Sequence, residues 1–290
     1  MKPPRFQYCA PRILDEALAL LDQYQEDIKV LAGGQSFVPL LNMRLAGPAY
    51  IVDINHLSEL LYIETEESYL AIGALARQRQ IERSILVQHK HPLLVETIKH
   101  IGHMQIRNRG TVVGSIAHAD PSAELPALLT CLGGEVLAQS VRGERVISAE
   151  DFFQGYLTTS LEPGEMLTEV RFPWISRMAG WSFLEFARRS GDYALVGAIA
   201  VLTPDENDRC ASANIGYLGV SGAPVRARTV ETIVVGTALD EPTIEAAASA
   251  ARQVVSEDMS DVQATVEYRR DLTAELTRRV LRAAWARRGR

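Results

Sequence analysis

Cysteine is scarce and scattered. The 290 residues hold three, Cys9, Cys131 and Cys210, and no two form a C-x-x-C pair. The chain therefore lacks the spacing of a zinc site or an iron–sulfur cluster, and free, mostly buried thiols are expected. No apolar run approaches the ~20 residues that a membrane helix needs. The opening Lys2-Pro3-Pro4 leads into no signal-peptide core, so the expected compartment is the cytoplasm. An excess of basic charge is missing too: the net charge is -6, which argues against nucleic acid as a partner. Histidine is limited to six residues. His89 stands near His91 and His100 near His103, but Pro92 separates the pairs and neither has a third ligand of suitable type, so surface or helix-end histidines are expected.

What is present is enough apolar content, 47%, for a substantial core and about two domains. The first stretch reads as an extended Phe6–Tyr8, a helix over 13–24, a strand at Ile28–Leu31, a loop with a short helix, and a strand over 50–54. Ala17, Leu18, Leu20 and Leu21 form the helical stripe, with Asp15 and Glu16 in the first turn. Helices between strands imply a small, mostly parallel sheet. A second region, about 56–171, carries strands at 68–72, 135–139 and 166–172 and helices over 78–87 and 92–102. Between them lies a non-periodic segment, Ile106 to Ala123, expected to be a long functional loop. From Gly180 on, strands at 181–189, 194–202 and 213–218 are followed by helices over 242–256 and 265–286. The last helix is rich in arginine, with Leu272, Leu276, Val280 and Ala283 as its inward stripe and the arginines expected on a solvated face.

Two segments do not read as core. Leu31-Ala-Gly-Gly-Gln-Ser-Phe-Val38 follows a strand immediately, where Gly33 and Gly34 bare the backbone N–H groups and Gln35 and Ser36 add short polar side chains. Such a loop at a strand's carboxyl end is the chemistry of an anion cradle. The second, Arg107 to Pro126, frees its backbone at Gly110 and Gly114 and presents Thr111, Ser115, His118, Asp120 and Glu124 at short intervals. Neither is a Walker A loop or a G-x-G-x-x-G fingerprint. Together they could close on an extended dinucleotide from opposite sides.

At this point the chain resembles a known family, the FAD-binding medium subunits of molybdenum hydroxylases, typified by the carbon monoxide dehydrogenase medium subunit and the flavin domain of xanthine dehydrogenase. The resemblance spans nearly the whole sequence. It rests on A-G-G-Q-S (Ala32 to Ser36), the run from Thr111 to Pro126, F-A-R-R-S-G-D-Y-A-L-V (Phe186 to Val196) and Y-R-R (Tyr268 to Arg270). It implies an α+β protein with a PCMH or vanillyl-alcohol-oxidase-type FAD-binding fold. Two α/β subdomains, 1–55 and 56–176, would precede a C-terminal domain, 177–290, of a three-stranded antiparallel sheet plus helices.

The resemblance also implies FAD as cofactor, no metal on this chain, and two partners: a small [2Fe-2S] subunit and a large molybdopterin subunit, arranged as a dimer of heterotrimers. Electrons would leave through this subunit. A free-standing flavin oxidoreductase of the same fold and a scaffold without flavin are the alternatives. Carried over residue by residue, Leu31, Ala32, Gly33, Gly34, Gln35, Ser36, Phe37 and Val38 would wrap the pyrophosphate and ribityl region. Thr111, Gly114 and Ser115 would oppose them, with His118 and Asp120 in loop structure or cofactor contact. Glu124 matches an acidic contact, Ile101 and Leu167 match apolar positions near the adenine or flavin, and Tyr193 matches a residue beside the isoalloxazine ring. Two positions depart from the family pattern. Val113 replaces a glycine, which places a Cβ where backbone normally approaches the cofactor. Glu185 stands where many relatives have Lys, a charge that would disfavour an anionic reduced flavin.

Overall fold

The computed structural model describes residues 2–289; Met1 and Arg290, the outer ends of the expected first and third regions, lie outside the described residues. Three sheets organise the chain. The first holds Gln7–Cys9, Tyr50–Asp53 and Ile28–Leu31 in that spatial order, all parallel. Parallel pairing requires a crossover, and the helix Leu14–Tyr24 supplies the first one. Its buried Ala17, Leu18 and Leu21 face the sheet, and it also reaches the strand Glu135–Ser140 of the second sheet. The cradle sequence therefore leaves the carboxyl end of an edge strand that is paired to Tyr50–Asp53 and packed against this helix.

The second sheet is antiparallel, in the order Ile63–Thr65, Tyr69–Gly73, Met166–Pro173, Glu135–Ser140, Gly143–Ser148. Its two outer strands escape the sequence reading because both are short or mostly exposed and carry little hydrophobic signal. The helix expected over 78–87 is two helices, Gln78–Arg83 and Ile85–Lys90. Ser84 sits between them in an extended conformation and its hydroxyl accepts from Val87 N at 3.4 Å. A serine that caps the second helix cannot also continue the first.

The third sheet corrects the expected count of three strands to four: Gly180–Phe186, Val196–Pro204, Cys210–Leu218 and Val225–Arg226. The fourth is only two residues long, too short to produce an alternating pattern. Behind this sheet lie the helices Glu241–Ala251 and Val266–Arg287. The inward face of the last helix includes Leu276 and Val280 as expected, but Ala284 replaces Ala283, and Arg269, Thr273 and Thr277 are buried with them. The Thr277 hydroxyl shares a 2.7 Å hydrogen bond with the hydroxyl of buried Tyr217. Arg270, Arg278, Arg279, Arg282 and Arg288 do pair with acidic neighbours at the surface.

His91 is fully buried and caps the helix Pro92–His100. Its Nδ1 accepts from Leu94 N at 3.4 Å, and its Nε2 lies 3.2 Å from the Pro173 carbonyl, so the ring is neutral with the proton on Nε2. Burial pushes its pKa down to about 4. The unfolded state therefore takes up a proton first, and the stability present above pH 6.5 is lost as the pH falls towards 4. The expected loss through this residue is about 3 kcal/mol. Urea unfolding of the wild type and of His91→Gln across that range checks it: the variant should have the flatter profile.

Candidate cofactor site

Gly33 is where the two polar segments meet. A Cβ on this residue would stand 2.6 Å from the Arg109 carbonyl oxygen, 2.8 Å from Gly110 Cα and 3.0 Å from Thr111 N. All three are backbone atoms and cannot swing aside. The first loop therefore needs glycine here to lie against the second. Gly34 needs it for a different reason: its φ of +73° is in the left-handed region, and it turns the chain into the helix Phe37–Met43. Val38 N then donates to the Gly34 carbonyl at 2.9 Å, and the Gln35 side chain folds back to donate to the Gly33 carbonyl at 3.1 Å.

A chain of polar side chains ties the two loops from behind. The Tyr8 hydroxyl donates to Asp53 Oδ2 at 2.6 Å, and Asp53 Oδ1 accepts from Asn55 N at 2.9 Å. Asn55 Nδ2 reaches the Ala32 carbonyl of the first loop at 2.9 Å. Arg77 donates both to Asn55 Oδ1 and, at 2.6 Å, to the Arg109 carbonyl of the second loop. Each end of this clasp holds a loop carbonyl, so relative movement of the loops breaks charge-assisted hydrogen bonds. Sequence reasoning missed Asn55, Arg77 and Gln78. Asp53-x-Asn55 at the carboxyl end of a strand was a usable signal for the first; nothing local marks the other two.

The segment 106–123, expected as loop, contains the end of the short helix Met104–Arg107 and all of the helix Val112–His118. Thr111 starts the latter, its hydroxyl accepting from Gly114 N at 3.0 Å. Gly114 leaves room for this: a Cβ there would stand 2.6 Å from the Thr111 hydroxyl oxygen. Val113 lies inside this helix, only 2% exposed, so its position needs no positive φ and its side chain is core. Gly and Ser within the helix hid its periodicity. Ala119, left-handed with φ of 53°, ends it, and Asp120 accepts from Ser122 N at 2.8 Å to turn the chain into the helix Glu124–Leu132.

Between the loops lies an open cavity of about 490 Å³, a size that suits an organic ligand. From the first loop it is lined by Ala32, Gly33, Gly34, Gln35, Ser36 and Phe37; from the second segment by Thr111, Gly114, Ser115, His118, Asp120 and Glu124. Ile101 and Tyr193 complete the expected set that the structure brings together. Three expected residues do not line it. Leu31 and Val38 flank Gly34 with their side chains, and Leu167, 4% exposed, is absorbed into the core of the second sheet. Gly110, read as freeing the second segment's backbone, lines it too, and Lys29, Gln78, Gly102, Ile106, Gly191 and Asp192 do so without having been expected there.

The lining combines glycines and hydroxyls with carboxyls. Burial pushes the Glu124 pKa up to about 8, reinforced by the Glu185 carboxylate. Burial likewise lowers the His118 pKa, so its ring favours the neutral form. Tyr193, 64% exposed at the mouth, is carried by the turn joining Gly180–Phe186 to Val196–Pro204. Gly191, with φ of +87°, bends that turn. The Tyr193 hydroxyl is held above its usual pKa by partial burial and by the Asp120 and Glu124 carboxylates.

A glycine-walled cavity with short hydroxyls fits a pyrophosphate, and the apolar Ile101 and the aromatic Tyr193 in the same lining fit a ring system. Comparison with known proteins agrees. Residues 4–175 match the family model described as the FAD binding domain in molybdopterin dehydrogenase, and residues 181–284 match the CO dehydrogenase flavoprotein C-terminal domain. The chain is 40% identical to the 6-hydroxypseudooxynicotine dehydrogenase complex subunit alpha of Paenarthrobacter nicotinovorans, over 98% of this chain and 96% of that one. It superposes on carbon monoxide dehydrogenase from Hydrogenophaga pseudoflava with a TM-score of 0.96 at 35% identity, covering 100% of both chains. With quinoline 2-oxidoreductase from Pseudomonas putida 86 the TM-score is 0.93 at 38% identity, covering 99% of each. The chain thus belongs to the FAD-binding subunits of the molybdenum hydroxylases: its cofactor is FAD, and it is a component of an oxidoreductase.

Proposed function

We propose that this chain is the electron exit of a molybdenum hydroxylase, receiving electrons from an iron–sulfur partner and passing them through FAD to an external acceptor. The observation that carries this reading is the closure of two glycine loops from different sheets, Gly33 against Arg109–Thr111, around one cavity. FAD, when bound, accepts electrons singly and gives up a pair, so the protein need only hold, orient and tune it. Gly33, Gly34, Gln35 and Ser36 would hold the pyrophosphate with Thr111, Gly114 and Ser115. Ile101 would support a ring, Glu124 a polar edge, and Tyr193 would cover the isoalloxazine.

The chain would divide into a first FAD-binding region at 1–55, a second at 56–176 and a C-terminal flavoprotein region at 177–290. Its partners would be a small [2Fe-2S] subunit and a large molybdopterin subunit, assembled as a dimer of heterotrimers in the cytoplasm. Among the described residues, no helix is long and apolar enough to cross a membrane. Native mass spectrometry of the complex purified through this chain tests the reading. Two further subunits, one carrying iron–sulfur clusters and one molybdenum, are expected; a flavoprotein that purifies alone and turns over a substrate unaided would contradict it.

Tyr193 has the placement of a gate, exposed while lining the cavity and carried by a turn separate from the glycine loops that would anchor phosphate. Tyr193→Ala is expected to leave FAD content unchanged and to raise the rate of flavin reoxidation by oxygen or a small dye by several-fold. Stopped-flow absorbance reads this directly, and identical rates for both acceptors would return Tyr193 to a surface role.

A further inference from the structure

Gln78 is the first residue of the helix Gln78–Arg83, and its backbone N–H donates to the Gly110 carbonyl at 2.9 Å. Its main chain is thereby tied to the second glycine segment. The side chain is 4% exposed, yet it contributes to the lining of the cofactor cavity. Its Nε2 donates to the Thr111 carbonyl at 3.5 Å, the outer limit of a hydrogen bond. Its Oε1 is buried without a hydrogen-bond partner among the described residues. That oxygen stands beside Gly110, another residue of the lining: a Cβ on Gly110 would lie 2.9 Å from it.

The surrounding backbone does not relieve this oxygen. Gly110 N donates to the Ile106 carbonyl at 2.7 Å, and Val112 N donates to the Ala76 carbonyl at 3.2 Å. Turning the amide over gives nothing better, because Oε1 would then face the Thr111 carbonyl, acceptor against acceptor. The preceding residue makes the contrast, since Arg77 donates to both Asn55 and the Arg109 carbonyl. An amide oxygen that stays buried and unpaired is costly, and a ligand that brings a donor removes the cost.

The unpaired atom is an acceptor, so it selects a donor on the cofactor. The phosphates of FAD carry no proton at neutral pH and cannot serve. Its donors are the hydroxyls of the ribityl chain and of the adenosine ribose, which flank the pyrophosphate, and the N–H groups of flavin and adenine at the two far ends. Gln78 lies against Gly110 and Thr111, the same backbone that Gly33 meets. The sugar hydroxyls are therefore the donors that come nearest. We propose that Gln78 Oε1 accepts a hydrogen bond from a cofactor hydroxyl next to the pyrophosphate, on the ribityl chain or the ribose, while Nε2 keeps the amide oriented through the Thr111 carbonyl. This rests on the reading that the two glycine loops hold the pyrophosphate.

Calorimetric titration of the flavin-free full chain with FAD, FMN and ADP, in the wild type and in Gln78→Met, tests the proposal. Methionine keeps the length and helix preference of glutamine and removes both polar atoms. The variant should bind FAD about three- to tenfold more weakly. The loss should recur with FMN and not ADP if the ribityl chain donates, and with ADP and not FMN if the ribose does. An equal loss with all three ligands would show a disturbed loop or a phosphate contact, and no loss would show no contact; either overturns the proposal. A structure of the wild type loaded with FAD decides it without any variant. A cofactor hydroxyl oxygen should lie about 3 Å from the Gln78 amide oxygen, and an ordered water in its place would overturn the assignment. Gly33→Val separates this from failure of the slot itself. If that variant loses FAD while Gln78→Met binds it as the wild type does, the loops hold the cofactor and Gln78 does not touch it; if Gly33→Val keeps its FAD, the slot and the Gln78 contact fall together.

Discussion

Purified Gly33→Val is expected to contain no FAD and to take up none when it is supplied. The added Cβ would sit 2.6 Å from the Arg109 carbonyl and 2.8 Å from Gly110 Cα, so the two loops must part before a side chain fits. Parting them strains the Arg77 bond to the Arg109 carbonyl and the Asn55 bond to the Ala32 carbonyl. Overpacking of this kind costs about 1–3 kcal/mol of stability, little enough for the fold to survive. The cofactor slot would not, because its two walls are the loops that have moved. Gly34→Ala makes the contrast. Its Cβ would meet only the Leu31 and Val38 side chains, each at 3.1 Å, and its penalty is the left-handed φ of +73°, about 1 kcal/mol. Flavin content by absorbance should fall to nothing in the first variant and only partly in the second. Full occupancy in Gly33→Val would mean that the loops do not form the slot.

The second large effect is expected at Arg269, from the Y-R-R sequence near the start of the last helix. Only 4% exposed, Arg269 donates to the Leu195 carbonyl, to the Gly219 carbonyl at 3.1 Å and to Asp261 at 2.7 Å. Leu195 closes the turn that carries Tyr193, its N–H donating to the Phe186 carbonyl at 2.8 Å. Gly219 N in turn donates to the Pro121 carbonyl at 2.9 Å, beside Asp120 and just ahead of Glu124. One buried guanidinium thus fixes two walls of the cofactor cavity from a distance. Arg269→Met leaves the Leu195 and Gly219 carbonyls without this donor, while half-exposed Asp261 turns to water; a buried acceptor left unpaired costs about 1–3 kcal/mol. Chemical denaturation should show that loss, accompanied by weaker FAD retention and greater proteolytic sensitivity between Phe186 and Leu195. A variant with wild-type stability would show that Arg269 is not the tie.

Arg269 also illustrates what the sequence conceals. Seven arginines between 269 and 288 read as a solvated face, and the ion pairs of Arg278 with Glu245 and Arg282 with Glu241 fit that reading. Little local distinguishes Arg269 from them, because the two carbonyls it holds lie 50 and 74 residues away. The glycine loops, by contrast, were legible. An apolar strand that ends abruptly in Ala32-Gly-Gly-Gln-Ser36 marks a break from core locally, and in the structure the Arg109–Thr111 backbone lies against it. The position of Gly33 changes the reason for one of these residues: the Cβ is excluded first by the other loop's backbone. Leu167 does not line the cavity, and a Leu in a buried strand looks the same in sequence whether it faces a cofactor or the core. Val113 was read as an intruder in the loop, and its helix was hidden by Gly114 and Ser115.

A crystal structure of the full chain loaded with FAD tests the account most directly. The pyrophosphate should lie between the backbone of Gly33–Ser36 and that of Thr111–Ser115, with the isoalloxazine ring at the Tyr193 mouth. A pyrophosphate bound away from these two loops, or loops that separate when FAD is in place, would contradict it.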